Sequence, residues 1–113
     1  LLVGDADSAV SWRTGDVEVL ATPRLVALCE EACCASVAGA LGAGHTSVGV
    51  RVQFDHLAPV RIGSTVEAEA VLEKVEGRRL TFTVSATDAV GLVGAGRMTR
   101  VLVEGDAFLS KSR

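Results

Sequence analysis

Aromatic side chains are scarce in this chain, with three Phe, one Trp and no Tyr among 113 residues. The apolar set is dominated by Ala and Val, so the expected core is built from small and β-branched side chains. Basic charge is also short. Eleven Lys and Arg against 14 Asp and Glu leave a net charge of -3, which argues against nucleic acid as the main partner. Long apolar runs are missing: none approaches the ~20 residues of a transmembrane helix, and neither a membrane span nor a signal peptide is expected. The first residue is Leu1 rather than Met, so the N-terminus supports no conclusion. The three cysteines, Cys29, Cys33 and Cys34, all fall in one predicted helix. An odd number without partners elsewhere is a poor disulfide framework and points to a reducing, cytoplasmic setting. No His or Cys pair completes a metal set around Cys29 and Cys33, and no metal or cofactor is expected.

What the chain does contain is one long apolar stretch, Thr22 to Leu41. Thr22 suits an N-cap, and Pro23 then suits the first helical position, where its missing N–H costs nothing. Leu25, Val26, Leu28, Cys29, Ala32, Cys33, Val37 and Ala38 cover more than one stripe, so the helix is expected to be mostly buried. It gives out in the glycine-rich run Gly39 to Gly44. Beyond it the period changes from 3.6 to 2. Val48, Val50, Val52 and Phe54 predict one buried strand face. Val66 to Leu72 predicts a second strand, Leu80 to Ala86 a third, and Leu92 to Glu104 a fourth. Gly94 and Gly96 in the last mark a bulge or a close approach. Leu1 to Val3 reads as the tail of a strand, and Asp5 to Gly15 as a loop or short helical segment. Tight turns favour neighbour-to-neighbour antiparallel pairing. The expectation is a single α+β domain over residues 1–113, one central helix wrapped by a curved antiparallel sheet.

Few residues are candidates for chemistry. Glu30 and Glu31 interrupt the apolar helix. A carboxylate held in an apolar groove is suited to acid–base or nucleophilic work. Thr22, Val26 and Glu30 form an i, i+4, i+8 row, so a hydroxyl and a carboxylate line one groove. His56 ends the first clear strand, while His45 lies in the glycine-rich loop and is expected to be solvated. Gly49, inside an alternating strand, leaves room for a ligand or marks a bulge.

Thr22-Pro23, Glu30, Gly49, His56 and Pro59, followed by Val75-Glu76-Gly77-Arg78-Arg79-Leu80, resemble the hotdog-fold thioesterases. Within them the pattern is most similar to the fluoroacetyl-CoA thioesterase branch. The resemblance runs from Thr22 through Arg100 into Val103. It implies that Thr22, Glu30 and His56 are the catalytic set, that Gly49 contributes a backbone site by the thioester carbonyl, and that Arg100 lies near the cleft. It also implies a homodimer, or a higher oligomer, with clefts at the subunit interface. The fluoroacetyl-selective member carries a Phe-bearing lid before its helix. The corresponding stretch here, Arg13 to Val17, has no Phe, and Trp12 is the one aromatic nearby. The implied activity is therefore hydrolysis of a small or short-chain acyl-CoA, with Glu30 as nucleophile or base.

Two other readings compete. A non-catalytic acyl-CoA-binding module would keep the cleft without needing Thr, Glu and His together. An enoyl-CoA hydratase would need an Asp and a His acting jointly, but Asp55 and His56 are adjacent and point to opposite strand faces. Arg51, Arg61, Arg78, Arg79, Arg97 and Arg100 are candidates for a cationic rim around coenzyme A phosphates.

Overall fold

The computed structural model describes all 113 residues. Helix α1 spans Thr22–Val37 and continues as a 3-10 turn, Ala38–Ala40, before the glycines end it. Its N-cap is Ala21, one residue earlier than expected, so Thr22 is already helical. The Leu25 N–H closes the first turn onto the Ala21 carbonyl, and the Thr22 hydroxyl bonds elsewhere. The fully buried positions are Leu25, Cys29, Cys33 and Val37, a single i, i+4 stripe. The expectation of a mostly buried helix therefore does not hold within one chain. Val26 and Leu28, to either side of the stripe, are only half covered, because a single sheet lies against just one side of the helix.

Four strands follow: β1 (His45–His56), β2 (Glu67–Glu76), β3 (Arg79–Thr87) and β4 (Leu92–Glu104). A short helix, α2 (Gly105–Lys111), for which the sequence carries no expectation, follows β4 directly. All pairings are antiparallel, in the order β1-β4-β3-β2. Neighbour-to-neighbour pairing thus holds from β2 to β4, where the connections are tight. Gly77 takes φ 61° in the two-residue turn between Glu76 and Arg79. It fails between β1 and β2. Residues 57–66 are too long for a hairpin turn and instead carry chain from one edge of the sheet to the other. They are fixed on the way: the Val60 carbonyl accepts from Leu20 N–H, and Val66 N–H donates to Leu1. Leu2 bridges Thr65, so the N-terminus is strand-like there, as expected.

On β3 the period-2 pattern is clean, with Leu80, Phe82, Val84 and Ala86 buried. On β1 it is not. Gly49 pairs with Arg100 and Arg51 with Thr99, leaving Val50 as an extra residue in a β-bulge. The bulge reverses the alternation. Ser47 and Gly49 face α1 before it, and Phe54 and His56 face α1 after it. Val48, Val50, Val52 and Phe54 therefore do not share the one buried face their spacing predicts, and Val50 is 52% exposed. Gly94 of β4 makes room for Phe54: a Cβ there would lie 2.6 Å from the Phe54 ring.

Candidate active site

The α1 row starting at Thr22 faces β1, and each polar member of it finds a partner. Thr22 Oγ1 lies 2.7 Å from His56 Nδ1. The other ring nitrogen, Nε2, is buried and has no hydrogen-bond partner. An unmatched buried polar atom is uncommon and marks a place where another group is expected to bind. The pair opens on a cavity of about 350 Å3, also lined by Ala9, Thr14, Val19, Leu57 and Pro59.

Two turns along the helix, Glu30 meets Arg100. Arg100 Nη1 donates to Glu30 Oε2 at 2.9 Å. The guanidinium is buried, at 8% exposure, and its remaining edge is occupied by Ser47: Nε donates to the Ser47 hydroxyl and Nη2 to the Ser47 carbonyl, each at 2.9 Å. The groove at Glu30 is therefore charged and hydrogen-bonded rather than apolar. Gly49 adjoins the same carboxylate, since a Cβ there would sit 2.8 Å from Glu30 Oε2 and 3.4 Å from Arg100 Nη1.

All five residues singled out from the sequence thus line one seam between α1 and β1–β4, in two groups. Thr22 and His56 form one; Glu30, Arg100 and Gly49 form the other. Eight residues of helix rise separate Thr22 from Glu30 by roughly 12 Å. Within one chain, His56 bonds Thr22 and not Glu30. Glu31 is exposed, and the nearest cation to it is Arg24 at 3.7 Å.

Other expectations resolve differently. Arg100 is an internal residue and not part of a rim. Arg51, Arg79 and Arg97 lie in a polar depression on the outer face of the sheet. Trp12 does not wall the cavity at Thr22 and His56. Its indole N–H donates to the Ala6 carbonyl, and Thr14 takes the wall position. His45 is exposed, as expected. Cys29 and Cys33 are buried free thiols, whose pKa values burial pushes up to about 11, and Cys34 is exposed. No three His, Cys, Asp or Glu side chains are placed to hold a metal ion. No helix is long and apolar enough to cross a membrane. Thr14 lies within the Arg13 to Val17 stretch set against the lid; sequence reasoning missed Ser47. Ser47 carries a signal: it stands two residues before Gly49 and so shares its strand face.

The profile of the fluoroacetyl-CoA-specific thioesterase family matches residues 3–106. Over 96 residues the chain is 40% identical to the fluoroacetyl-CoA thioesterase of Streptantibioticus cattleyicolor, spanning 85% of this chain and 69% of that protein. It is similar to a solved structure of the fluoroacetyl-CoA thioesterase FlK, with TM-score 0.92 at 32% identity, over 98% of this chain and 87% of the other. A hot-dog-like protein of Thermanaerovibrio acidaminovorans superposes with TM-score 0.90 at 28% identity, over 98% and 82% of the two chains. The profile match over nearly the whole chain, joined to the fold and to a Thr, Glu and His on one seam, establishes that the chain belongs to the fluoroacetyl-CoA-specific thioesterase family, thioester hydrolases of the hotdog fold.

Proposed function

We propose that this acyl-CoA thioesterase hydrolyses short-chain acyl-CoA, with Glu30, Thr22 and His56 as the catalytic set and Gly49 and Arg100 at the substrate. The observation that carries this reading is the carboxylate of Glu30, fixed in the α1–β1 seam beside Gly49 and on the same helix row as the Thr22–His56 pair.

Thioester hydrolysis adds water across the C–S bond, giving a carboxylic acid and a thiol. As general base, Glu30 takes a proton from water while the water oxygen attacks the carbonyl carbon. As nucleophile, it attacks the carbonyl itself, giving a mixed anhydride that water then opens. In both routes negative charge gathers on the carbonyl oxygen, and a backbone N–H at the Gly49 bulge, beside Glu30, would oppose it. The Thr22 hydroxyl can join it only from a second chain across the cleft, since within one chain the two groups stand about two helical turns apart. The C–S bond breaks as the negative charge collapses back, in the nucleophilic route as the anhydride forms, and the leaving coenzyme A thiolate takes a proton from the imidazolium form of His56. In the base route the proton on Glu30 then passes to solvent, from which His56 is reprotonated; in the anhydride route the imidazole takes a proton back from the attacking water. The cavity at Thr22 and His56 is lined by no Phe or Trp, which supports a general small- or short-chain preference over selectivity for fluoroacetyl.

The working unit in this reading is a homodimer. β1 is an open sheet edge carrying Val50 and Val52, which are 52% and 44% exposed. An open apolar edge favours pairing with another copy, and a second chain there would complete a cleft whose two polar groups stand about two helical turns apart. A panel of acetyl-, butyryl-, hexanoyl- and fluoroacetyl-CoA, with released thiol followed by a colour reagent, tests the activity. Turnover of the short acyl groups is expected. Glu30→Ala and Glu30→Gln should each lower kcat by about a hundredfold or more. Full activity in either variant would remove Glu30 from its role. Tight binding of acyl-CoA without turnover on any member would favour the binding module.

A further inference from the structure

The Arg100 side chain is held by a residue that no part of the proposed chemistry uses. A guanidinium is planar and carries its donors in a fixed fork. Ser47 alone supplies two acceptors along one edge of that fork, its hydroxyl to Nε and its carbonyl to Nη2. With two of its three nitrogens tied to one residue, the plane cannot rotate, and Nη1 is left aimed at Glu30 Oε2. Ser47 is 9% exposed and Arg100 8%, so water does not easily replace these bonds. The anchor is also neutral. An Asp or Glu at position 47 would compete with Glu30 for the guanidinium charge, whereas a hydroxyl and a carbonyl leave that charge for the carboxylate. Glu30 Oε2 is thus enclosed by Arg100 on one side and by the bare Cα of Gly49 on another. Oε1 makes no hydrogen bond within the chain and is the oxygen left to face a reacting group.

We propose that Ser47 is a positioning residue for the thioesterase reaction: it orients the Arg100 guanidinium, which in turn orients the Glu30 carboxylate. The inference rests on the reading of Glu30 given above and extends it to a residue that touches neither substrate nor Glu30. Ser47 sits where it does because the bulge at Val50 lets the strand present Ser47 and Gly49 to the helix before the bulge and His56 after it.

The test compares Ser47→Ala, Ser47→Thr, Arg100→Lys and the Ser47→Ala/Arg100→Lys double variant, in the full chain, on whichever short acyl-CoA the wild type turns over. Ser47→Ala should lower kcat by about tenfold with KM changed less than about twofold, since the loss is one of orientation. Ser47→Thr keeps the hydroxyl in a strand position that tolerates branching and should recover most of the activity. Lys lacks the fork, so the double variant should be no slower than Arg100→Lys alone. A merely structural role predicts another outcome: a lower melting temperature in Ser47→Ala with unchanged kcat per folded molecule. Unchanged kcat would overturn the proposal, as would a double variant clearly slower than Arg100→Lys alone, or Ser47→Thr being as slow as Ser47→Ala at wild-type melting temperature. A second readout needs no turnover. The Arg100 Nε–H should exchange slowly with solvent in the wild type and in Glu30→Gln, and rapidly in Ser47→Ala. Rapid exchange in the wild type refutes the anchor. Absence of turnover in a wild type with slow exchange would refute the thioesterase reading and leave the anchor standing.

Discussion

Replacing Gly49 with Ala should damage activity and spare stability, and the structure sets both magnitudes. The new Cβ would lie 2.8 Å from Glu30 Oε2 and 3.4 Å from Arg100 Nη1. Ordinary van der Waals contact begins near 3.4 Å, so the carboxylate oxygen must retreat by about 0.6 Å, the difference of the two distances. Taken along the bond, that stretches the 2.9 Å Arg100–Glu30 hydrogen bond to about 3.5 Å, where little of it survives. Misplacement on the order of 1 Å costs about a hundredfold in rate, so a loss of 10- to 100-fold in kcat is expected. Folding responds differently. Glu30 is 37% exposed, which limits the pair to about 1 kcal/mol or less after solvent screening. Arg100 keeps both bonds to Ser47, and Gly49 is not among the glycines with positive φ, so Ala gains about 0.4–1 kcal/mol by restricting the unfolded chain. The two terms nearly cancel, and the melting temperature should stay within about 5 °C of wild type. Thiol release under saturating acyl-CoA and a thermal melt on the same preparation suffice. A kcat within twofold of wild type would refute the contact argument, and a melting temperature lower by more than about 10 °C would show that the space at Gly49 serves folding.

Asp7 ties the N-terminal segment to the helix start: its carboxylate accepts from Gly4 N–H and from Arg24 Nε, at 2.8 and 2.9 Å. The Gly4 bond first, and then Arg24, hold its pKa below the ordinary 3.8, against the opposing effect of burial. A lowered folded-state value means stabilisation that is full above pH 3.8 and is lost as pH falls through the folded value. Asp7→Asn should therefore cost about 1–2 kcal/mol in denaturant melts at pH 7, with a gap that closes below pH ~3.8; a gap that is constant with pH would refute the charge argument. Thiol reactivity offers a separate check on the core. Thiolate is the reactive form, and burial raises Cys29 and Cys33 to about 11 while Cys34 stays exposed. At pH 8 one thiol should react quickly in the native protein and three after unfolding, and fast labelling of two or more would contradict the buried stripe.

Much of the fold was legible because its elements carry their own periods. Leu80 to Ala86 alternates in sequence and in burial, and the turn at Gly77 is written in a glycine with positive φ. Strand order was less legible. Pairing of β1 with β4 depends on where residues 57–66 travel, and that path is fixed by long-range bonds from Leu20 to Val60 and from Val66 to Leu1. No local pattern encodes such contacts. The breadth of apolar surface on α1 also misled. Val26 and Leu28 read as core, yet in one chain only the Leu25–Val37 stripe is enclosed. Apolar spacing reports what a helix can bury and not whether the partner surface belongs to the same chain.

The site shows why residue types were easier to identify than geometry. Gly49 and His56 are seven residues apart, an odd interval, so a regular strand would place them on opposite faces. Both nevertheless approach α1, because Val50 is an extra residue in the ladder and shifts every later side chain by one step. The seam therefore requires a defect in β1, and the apparent regularity of Val48, Val50, Val52 and Phe54 conceals it. The same shift explains the exposure of Val50: a bulge that turns Phe54 and His56 inward leaves its own side chain outside the packing. Glycine at 49 was the one local sign, since a strand that gives up a side chain beside a bulge does so for close approach. Here what approaches is the Glu30 carboxylate, held at the correct height by Arg100 and, through it, by Ser47. A strand that followed its hydrophobic pattern faithfully could hold either Ser47 with Gly49, or His56, against the helix. The bulge is what allows one strand to present all three.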